Sequence, residues 1–234
     1  MATILAVSAH PDDETMFAGG MLAMYAAAGH AVYILETTRG EGGEAGDPPL
    51  AAPHELGALR EQEARAAGAA LGAQAVRFLP FVDPTMTAIG GSVAHIDVPL
   101  DQFAAAIGAQ IAELQPDLVI THGSNGEYGH PQHIYTHRAV QLALAAVTRP
   151  IALATWSAWH LPHERERMLN HDDRATHIFD ISPWFAAKLA AAACHRSQHA
   201  MFYRNTELQD LAAIVLRYES LRLWRGELPD TARA

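Results

Sequence analysis

Apolar and polar positions along the chain follow two periods, and the switches between them mark out a repeating order of elements. Residues 3–8 are a short β-branched and aliphatic run, the signature of a strand buried on both faces. The Ala/Met/Leu-rich stretch 15–28 follows and stops at Gly29, a natural helix terminus. The order then repeats: 31–37 reads as a strand, 55–71 as a helix with charge on one face and Ala/Leu on the other, 76–79 as a strand and 100–114 as a helix. Residues 117–121 form a fourth strand, 134–147 a helix, and 151–156 and 176–180 later strands, while 183–195 and 208–223 read as closing helices. This alternation predicts an α/β fold, a Rossmann-like, doubly wound, mostly parallel sheet with helices on both faces. No repeat, low-complexity tract or linker interrupts it, so one domain over residues 1–234 is expected. The long loops 40–53 and 159–174 are expected as walls of a binding site.

Charge narrows the partners. Lys+Arg number 16 against 26 Asp+Glu, a formal net charge of −10, and no dense basic run offers to neutralise a row of phosphates. Nucleic acid and anionic membrane surfaces are therefore disfavoured. The uncharged stretch 15–35 contains Gly19, Gly20, Gly29 and His30, which divide it into helix and strand rather than a membrane span. The first eight residues lack the basic flank and apolar core of a secretory leader. The lone Cys194 can form neither an internal disulfide nor a thiolate cluster. Both features fit a cytoplasmic protein.

The chemistry lies in two clusters. Directly after the first strand stands Ala9-His10-Pro11-Asp12-Asp13-Glu14, an imidazole and three carboxylates in the turn that opens a helix. Tyr128-Gly129-His130-Pro131-Gln132-His133 occupies the same kind of place after the fourth strand. In a sheet of order 3-2-1-4-5, strands 1 and 4 are neighbours, and ligands bind in the crevice beyond their carboxyl ends. The topology thus brings together His10, Asp12, Asp13, His130 and His133. Two histidines and a carboxylate with positions left open are the minimum of a catalytic metal site. Paired aspartates can divide the work, one holding the ion and its ionised neighbour accepting a proton from water whose pKa the ion lowers from about 16 to about 7. A further histidine could stabilise an oxyanion or protonate a leaving amine. Taken alone, Asp12, Asp13 and Glu14 would serve equally well as helix-capping acids; the matching histidine cluster favours the metal reading. Of the fourteen histidines, His30, His54, His95, His160, His163, His171 and His177 have no spacing that demands a metal. His137, one turn after His133, is expected beside the site rather than on the ion.

His-Pro-Asp-Asp-Glu followed much later by Gly-His-Pro-x-His resembles the LmbE-like (PIG-L) family of zinc-dependent de-N-acetylases, and the resemblance covers nearly the whole chain. It implies zinc ligation by His10, Asp13 and His133, with Asp12 as general base. It also implies oxyanion stabilisation or acid help by His130, and polarisation of the amide carbonyl by Tyr128. Thr38-Arg39-Gly40-Glu41, Arg60 with Glu63, Asp83, and Lys188 with His195-Arg196-Ser197-Gln198 resemble further segments of the family pattern, making Arg60 and Asp83 candidate substrate contacts. On their own, Arg60 and Glu63 read as a surface ion pair and His195 as a helix-end cation. One position departs: Gln132 stands where the family has an Asp that can orient the acid histidine. A neutral amide there is expected to leave His130 with a lower pKa. The implied reaction is hydrolytic removal of an acetyl group from an N-acetylglucosamine conjugate, such as the precursors of mycothiol and bacillithiol, or from a related small N-acyl compound. Zn2+ and Fe2+ both suit two imidazoles and a carboxylate, and relatives of this kind often form homo-oligomers.

Rival readings are weaker. Gly40-Glu41-Gly42-Gly43-Glu44-Ala45 satisfies a dinucleotide fingerprint, but its acids would face a pyrophosphate and Pro48-Pro49 denies it a following helix. A non-haem Fe(II) oxygenase could use His10, Asp12 and a distant histidine, yet the second Asp and the β-α alternation suit hydrolysis better. A non-catalytic sugar-binding protein of the same fold would be favoured by loss of the base, which is present as Asp12. Serine hydrolysis lacks its G-x-S-x-G elbow.

Overall fold

The computed structural model describes residues 1–84, 95–162, 165–204, 207 and 209–231. The expected alternation is present as β1 (Thr3–Ser8), α1 (Asp13–Ala27), β2 (Ala31–Thr38), α2 (Leu56–Ala70), β3 (Ala75–Phe81) and α3 (Leu100–Leu114). It continues through β4 (Leu118–Thr121), the single turn α4 (Gly126–Gly129), α5 (Pro131–Ala145) and β5 (Ala152–Trp156). Beyond these lie β6 (Ala158–Trp159), β7 (Asn170–Arg174), β8 (His177–Asp180), α6 (Phe185–Cys194), the short α7 (His199–Tyr203) and α8 (Leu211–Ile214), and β9 (Tyr218–Arg225).

Seven of these strands form one sheet in the order β3-β2-β1-β4-β5-β9-β8. The first five are parallel, with Ile4 opposite Leu118 and Val7 opposite Thr121 across the central pair, and β9 and β8 extend the sheet antiparallel. Alternate β1 side chains serve opposite faces. Ile4 and Ala6 pack with α1, α2 and α6, whereas Leu5 and Val7 pack with α3 and α5. Burial on both sides explains why these strands read as continuous apolar runs, each large aliphatic side chain contributing about 1.5–3 kcal/mol.

Two expectations need correction. Residues 208–223 were expected to be helical; Leu208 lies outside the described residues, α8 is one short turn, and Tyr218–Arg225 is strand β9. The Glu, Leu and Arg of this segment suit a helix, but Leu221 and Leu223 repeat with period two and the backbone pairs with β5 and β8, so tertiary pairing overrides propensity. The expected loop 159–174 also holds β7, which pairs with β6 in a small parallel sheet. Among the described residues, no helix is long and apolar enough to cross a membrane.

Candidate active site

Neighbouring β1 and β4 deliver the two clusters to one crevice. From β1 the chain turns through His10 into α1, where Asp13 is the first helical residue and Asp12 precedes it with φ 124° and ψ −28°. From β4 it runs through a Gly-rich loop to His130, which caps α5 by accepting the Gln132 N–H on Nδ1 at 3.3 Å; Pro131 then occupies the first turn. Asp13 is the meeting point. Its Oδ2 lies 3.2 Å from His10 Nδ1 and its Oδ1 3.4 Å from His133 Nε2, and the His130 and His133 rings stack at 4.3 Å. His10, Asp12, Asp13, His130 and His133, brought together by topology alone in the sequence reading, are thus neighbours.

The adjacent aspartates sit in opposite electrostatic settings. Burial raises the pKa of both, but His133, His10 and His122 around Asp13 outweigh it and hold that carboxyl well below its usual range. For Asp12, burial, aided by the neighbouring Asp13 and Glu14 charges, outweighs Arg60 Nη2 at 3.3 Å and His10 and leaves the carboxyl well above the usual range. Environments that push two carboxyls apart separate a permanent anion from a group able to exchange a proton. Burial opposes charge on His10, yet Asp83 and Asp13 raise its pKa to about 10. On His130, burial followed by the neighbouring His133 and His10 lowers the pKa to about 2. His130 is therefore neutral, and because its Nδ1 accepts a backbone N–H, its proton resides on Nε2, free to donate.

The donors fit a metal ion. Ligand atoms of His10, His130 and His133 lie within 4.8 Å of one another, as do those of Asp13, His122 and His133. Within the second group, His122 Nε2 is engaged, accepting the Ala9 N–H at 2.9 Å. His133 Nε2 is buried without a hydrogen-bond partner although it faces Asp13, a costly arrangement that a coordinated cation would satisfy.

Around this centre, Asp83 lies 3.5 Å from His10 Nε2 and accepts the Gly42 N–H at 3.2 Å. Tyr128 is half exposed and stands edge-on to His130 and His133; burial and then Asp13 raise its pKa, keeping it a phenol. Arg60 is 3 % exposed and donates to Pro11 O and Gly40 O as well as to Asp12. It makes no surface pair with Glu63, whose carboxylate instead holds the Ser197 N–H and hydroxyl at 2.9 and 2.6 Å. His137 belongs to neither ligand group; its Nδ1 donates to the His122 carbonyl at 2.9 Å and its Nε2 faces Gln141 Nε2 at 2.8 Å. His195 is fully buried 3.3 Å from Thr15 Oγ1, where burial and Arg60 lower its pKa to about 3, so it is no helix-end cation. Gln132 does not orient His130 through its side chain: its amide turns to Asp83 at 3.0 Å, and only its backbone reaches the imidazole. His163 lies outside the described residues.

Three residues escaped the sequence reading. His122, Glu127 and Asn170 form a buried hydrogen-bonded group behind His133, and a side chain on Gly123 would collide with Asn170, since a Cβ there would stand 2.0 Å from Asn170 Cγ. None has a periodic or motif-like spacing; only the density of polar residues between Thr121 and Tyr128 hinted at them.

The model of the GlcNAc-PI de-N-acetylase (PIG-L) family matches residues 5–144, more than half the chain and the span from β1 through α5 that carries both clusters. The chain belongs to the PIG-L family. A relative from Rhodococcus opacus (strain B4), a 1D-myo-inositol 2-acetamido-2-deoxy-alpha-D-glucopyranoside deacetylase, is 32% identical over 271 positions covering 97% of this chain and 93% of its own. Among solved structures, N,N'-diacetylchitobiose deacetylase from Pyrococcus horikoshii superposes with TM-score 0.68 at 19% identity, covering 95% and 83% of the two chains. GalB, the 4-carboxy-2-hydroxymuconate hydratase from Pseudomonas putida KT2440, gives 0.67 at 20% identity over 98% and 99%. A hydratase on the PIG-L scaffold means that the fold by itself does not select the reaction; the site must.

Proposed function

We propose that this protein is a zinc-dependent N-deacetylase that hydrolyses the acetamide of a soluble N-acetylglucosamine conjugate, with His10, Asp13 and His133 holding the ion. The observation that carries this reading is the convergence of Asp13 on His10 Nδ1 and on the unpartnered His133 Nε2, with Asp12 beside it braced by Arg60. A bound zinc ion supplies Lewis acidity, polarising the acetamide carbonyl and making water nucleophilic near neutral pH. Asp12, braced by Arg60, takes the proton from the attacking water and passes it to the departing amine nitrogen. His130 donates its Nε2 proton as a hydrogen bond to the oxygen that gains charge, and Tyr128 adds a second donor from the rim. Asp83, an anion in the wall next to His10, accepts from a sugar hydroxyl. The relatives' names support the acetamide as the bond attacked.

The deciding experiment is acetate release from a panel of N-acetylglucosamine compounds by metal-stripped protein with and without zinc. Zinc-dependent release is expected, and its ranking across the panel identifies the aglycone class. A protein that binds zinc stoichiometrically and releases acetate from no member would overturn the reading.

A further inference from the structure

Glu127 is 1 % exposed, and its carboxylate is spent entirely inside the protein. Oε2 lies 2.6 Å from His133 Nδ1 and 2.9 Å from His122 Nδ1, while Oε1 accepts the Gly123 N–H at 3.0 Å and an Asn170 Nδ2 hydrogen at 3.1 Å. An ionised carboxylate can only accept, so both imidazoles present N–H at Nδ1. For His122 the opposite nitrogen gives independent support, because Nε2 accepts the Ala9 N–H at 2.9 Å and so carries no proton. For His133 the same bond leaves the Nε2 lone pair buried, unpartnered and 3.4 Å from Asp13 Oδ1.

The arrangement is costly to maintain. Glu127 has φ 62° and ψ −65°, a region that side-chain-bearing residues rarely adopt, and its N–H is caught by Asn170 Oδ1 at 3.0 Å. Burial opposes its charge, and the four N–H donors that converge on the two oxygens offset that cost. A strained, buried anion tied to one face of an imidazole is a device for fixing the other face.

We propose that Glu127 is a positioning residue that holds the His133 proton on Nδ1, aims the Nε2 lone pair at the metal cradle, and so sets the site's zinc affinity without touching ion or substrate. This rests on the reading of His133 as a metal ligand. In Glu127→Gln, an amide NH2 turned toward His133 would force the proton onto Nε2, whereas turned toward Gly123 and Asn170 it would meet two donors; either outcome degrades the ligand.

The test does not use acetate release, so its failure and that of the deacetylase reading are distinguishable. Nitrogen-15 NMR of the histidine side chains in metal-stripped and zinc-loaded wild-type protein is expected to find the His133 proton on Nδ1 in both. Zinc affinity measured by chelator competition is expected to fall about 10–100-fold in Glu127→Gln, the usual range for losing a partner of a metal-bound imidazole. Glu127→Asp, which keeps the carboxylate, should recover part of that loss. A His133 proton on Nε2 in the wild type, or a Glu127→Gln protein that binds zinc as tightly as the wild type, would overturn the assignment. Should Glu127→Gln fail to fold, the wild-type tautomer decides alone.

Discussion

Gln132 donates its side-chain amide to Asp83 Oδ1 across 3.0 Å, and that same oxygen lies 3.5 Å from His10 Nε2. Both side chains are buried, so the pair links α5 to the loop after β3 through a bond that requires a neutral donor. An aspartate at position 132, the residue of the family pattern, would set two carboxylates against each other here. Gln132→Asp is predicted to destabilise by about 1–3 kcal/mol, a loss of several degrees in Tm for a chain of this size. Adding Asp83→Asn should restore most of it. Thermal unfolding of the two single variants and the double variant checks this, and purely additive losses would mean the positions are not coupled.

Asp12 and Asp13 should separate in mutagenesis as they do electrostatically. Asp12→Ala is predicted to keep stoichiometric zinc while turnover falls about 10²–10⁴-fold, the range for a lost general base. His133→Ala should lose the metal as well. Metal analysis alongside single-turnover acetate release decides, and equal metal loss in both variants would reverse the assigned roles.

Much of this was legible before any coordinates. The apolar runs of β1, β2 and β4 carry a strong signal because both of their faces are covered, and adjacency of β1 with β4 follows from generic topology, so the convergence of His10, Asp13 and His133 could be argued from order alone. The polar support could not. Glu127 and Asn170 meet because a strained turn and the first residue of β7 close on each other, which no periodicity records. Gln132 lies two residues from His130 in sequence and reads as its partner, yet side chains two apart at the start of a helix do not face each other. Strand β9 was missed because its residues favour a helix locally and find their strand partners only at long range.

Glu36 is predicted to make stability fall as pH rises. Its carboxyl is wholly buried against Glu14 and Ser8; burial first, and the Glu14 charge second, push it well above its ordinary value of 4.5. The folded chain therefore retains a proton that the unfolded chain releases. The resulting stabilisation is complete below 4.5 and is lost as pH climbs through the folded value. Glu36→Gln removes the titration while keeping the shape of the side chain, so its stability should change less from about pH 5 to about pH 9 and exceed the wild type at the upper end. Urea unfolding across that window checks the slopes; parallel curves would refute the role.

Lys188 and Glu219 form a fully buried ion pair at 2.6 Å, and the same carboxylate accepts the N–H groups of Gly20 and Met21 in the middle of α1 at 2.8 and 2.7 Å. Lys188→Met is predicted to cost about 3–5 kcal/mol, because it strands a buried anion. Adding Glu219→Gln, which removes the charge but keeps an acceptor for the helix, should recover part of this. Urea unfolding that finds Lys188→Met within about 1 kcal/mol of wild type would mean water reaches the pair.

The hold of Glu219 on α1 also fixes when the enzyme is finished. A ribosome releases the helix that opens with Asp13 early and β9 late, so a growing chain can present both histidine clusters before the carboxylate that accepts from the middle of α1 has been made. When β9 slots between β5 and β8 it adds that buried carboxylate to the packing that α1 already has against β1 and α6. A frameshift downstream of His195 would consequently spare every side chain assigned to the chemistry yet remove the carboxylate that Gly20 and Met21 of α1 donate to.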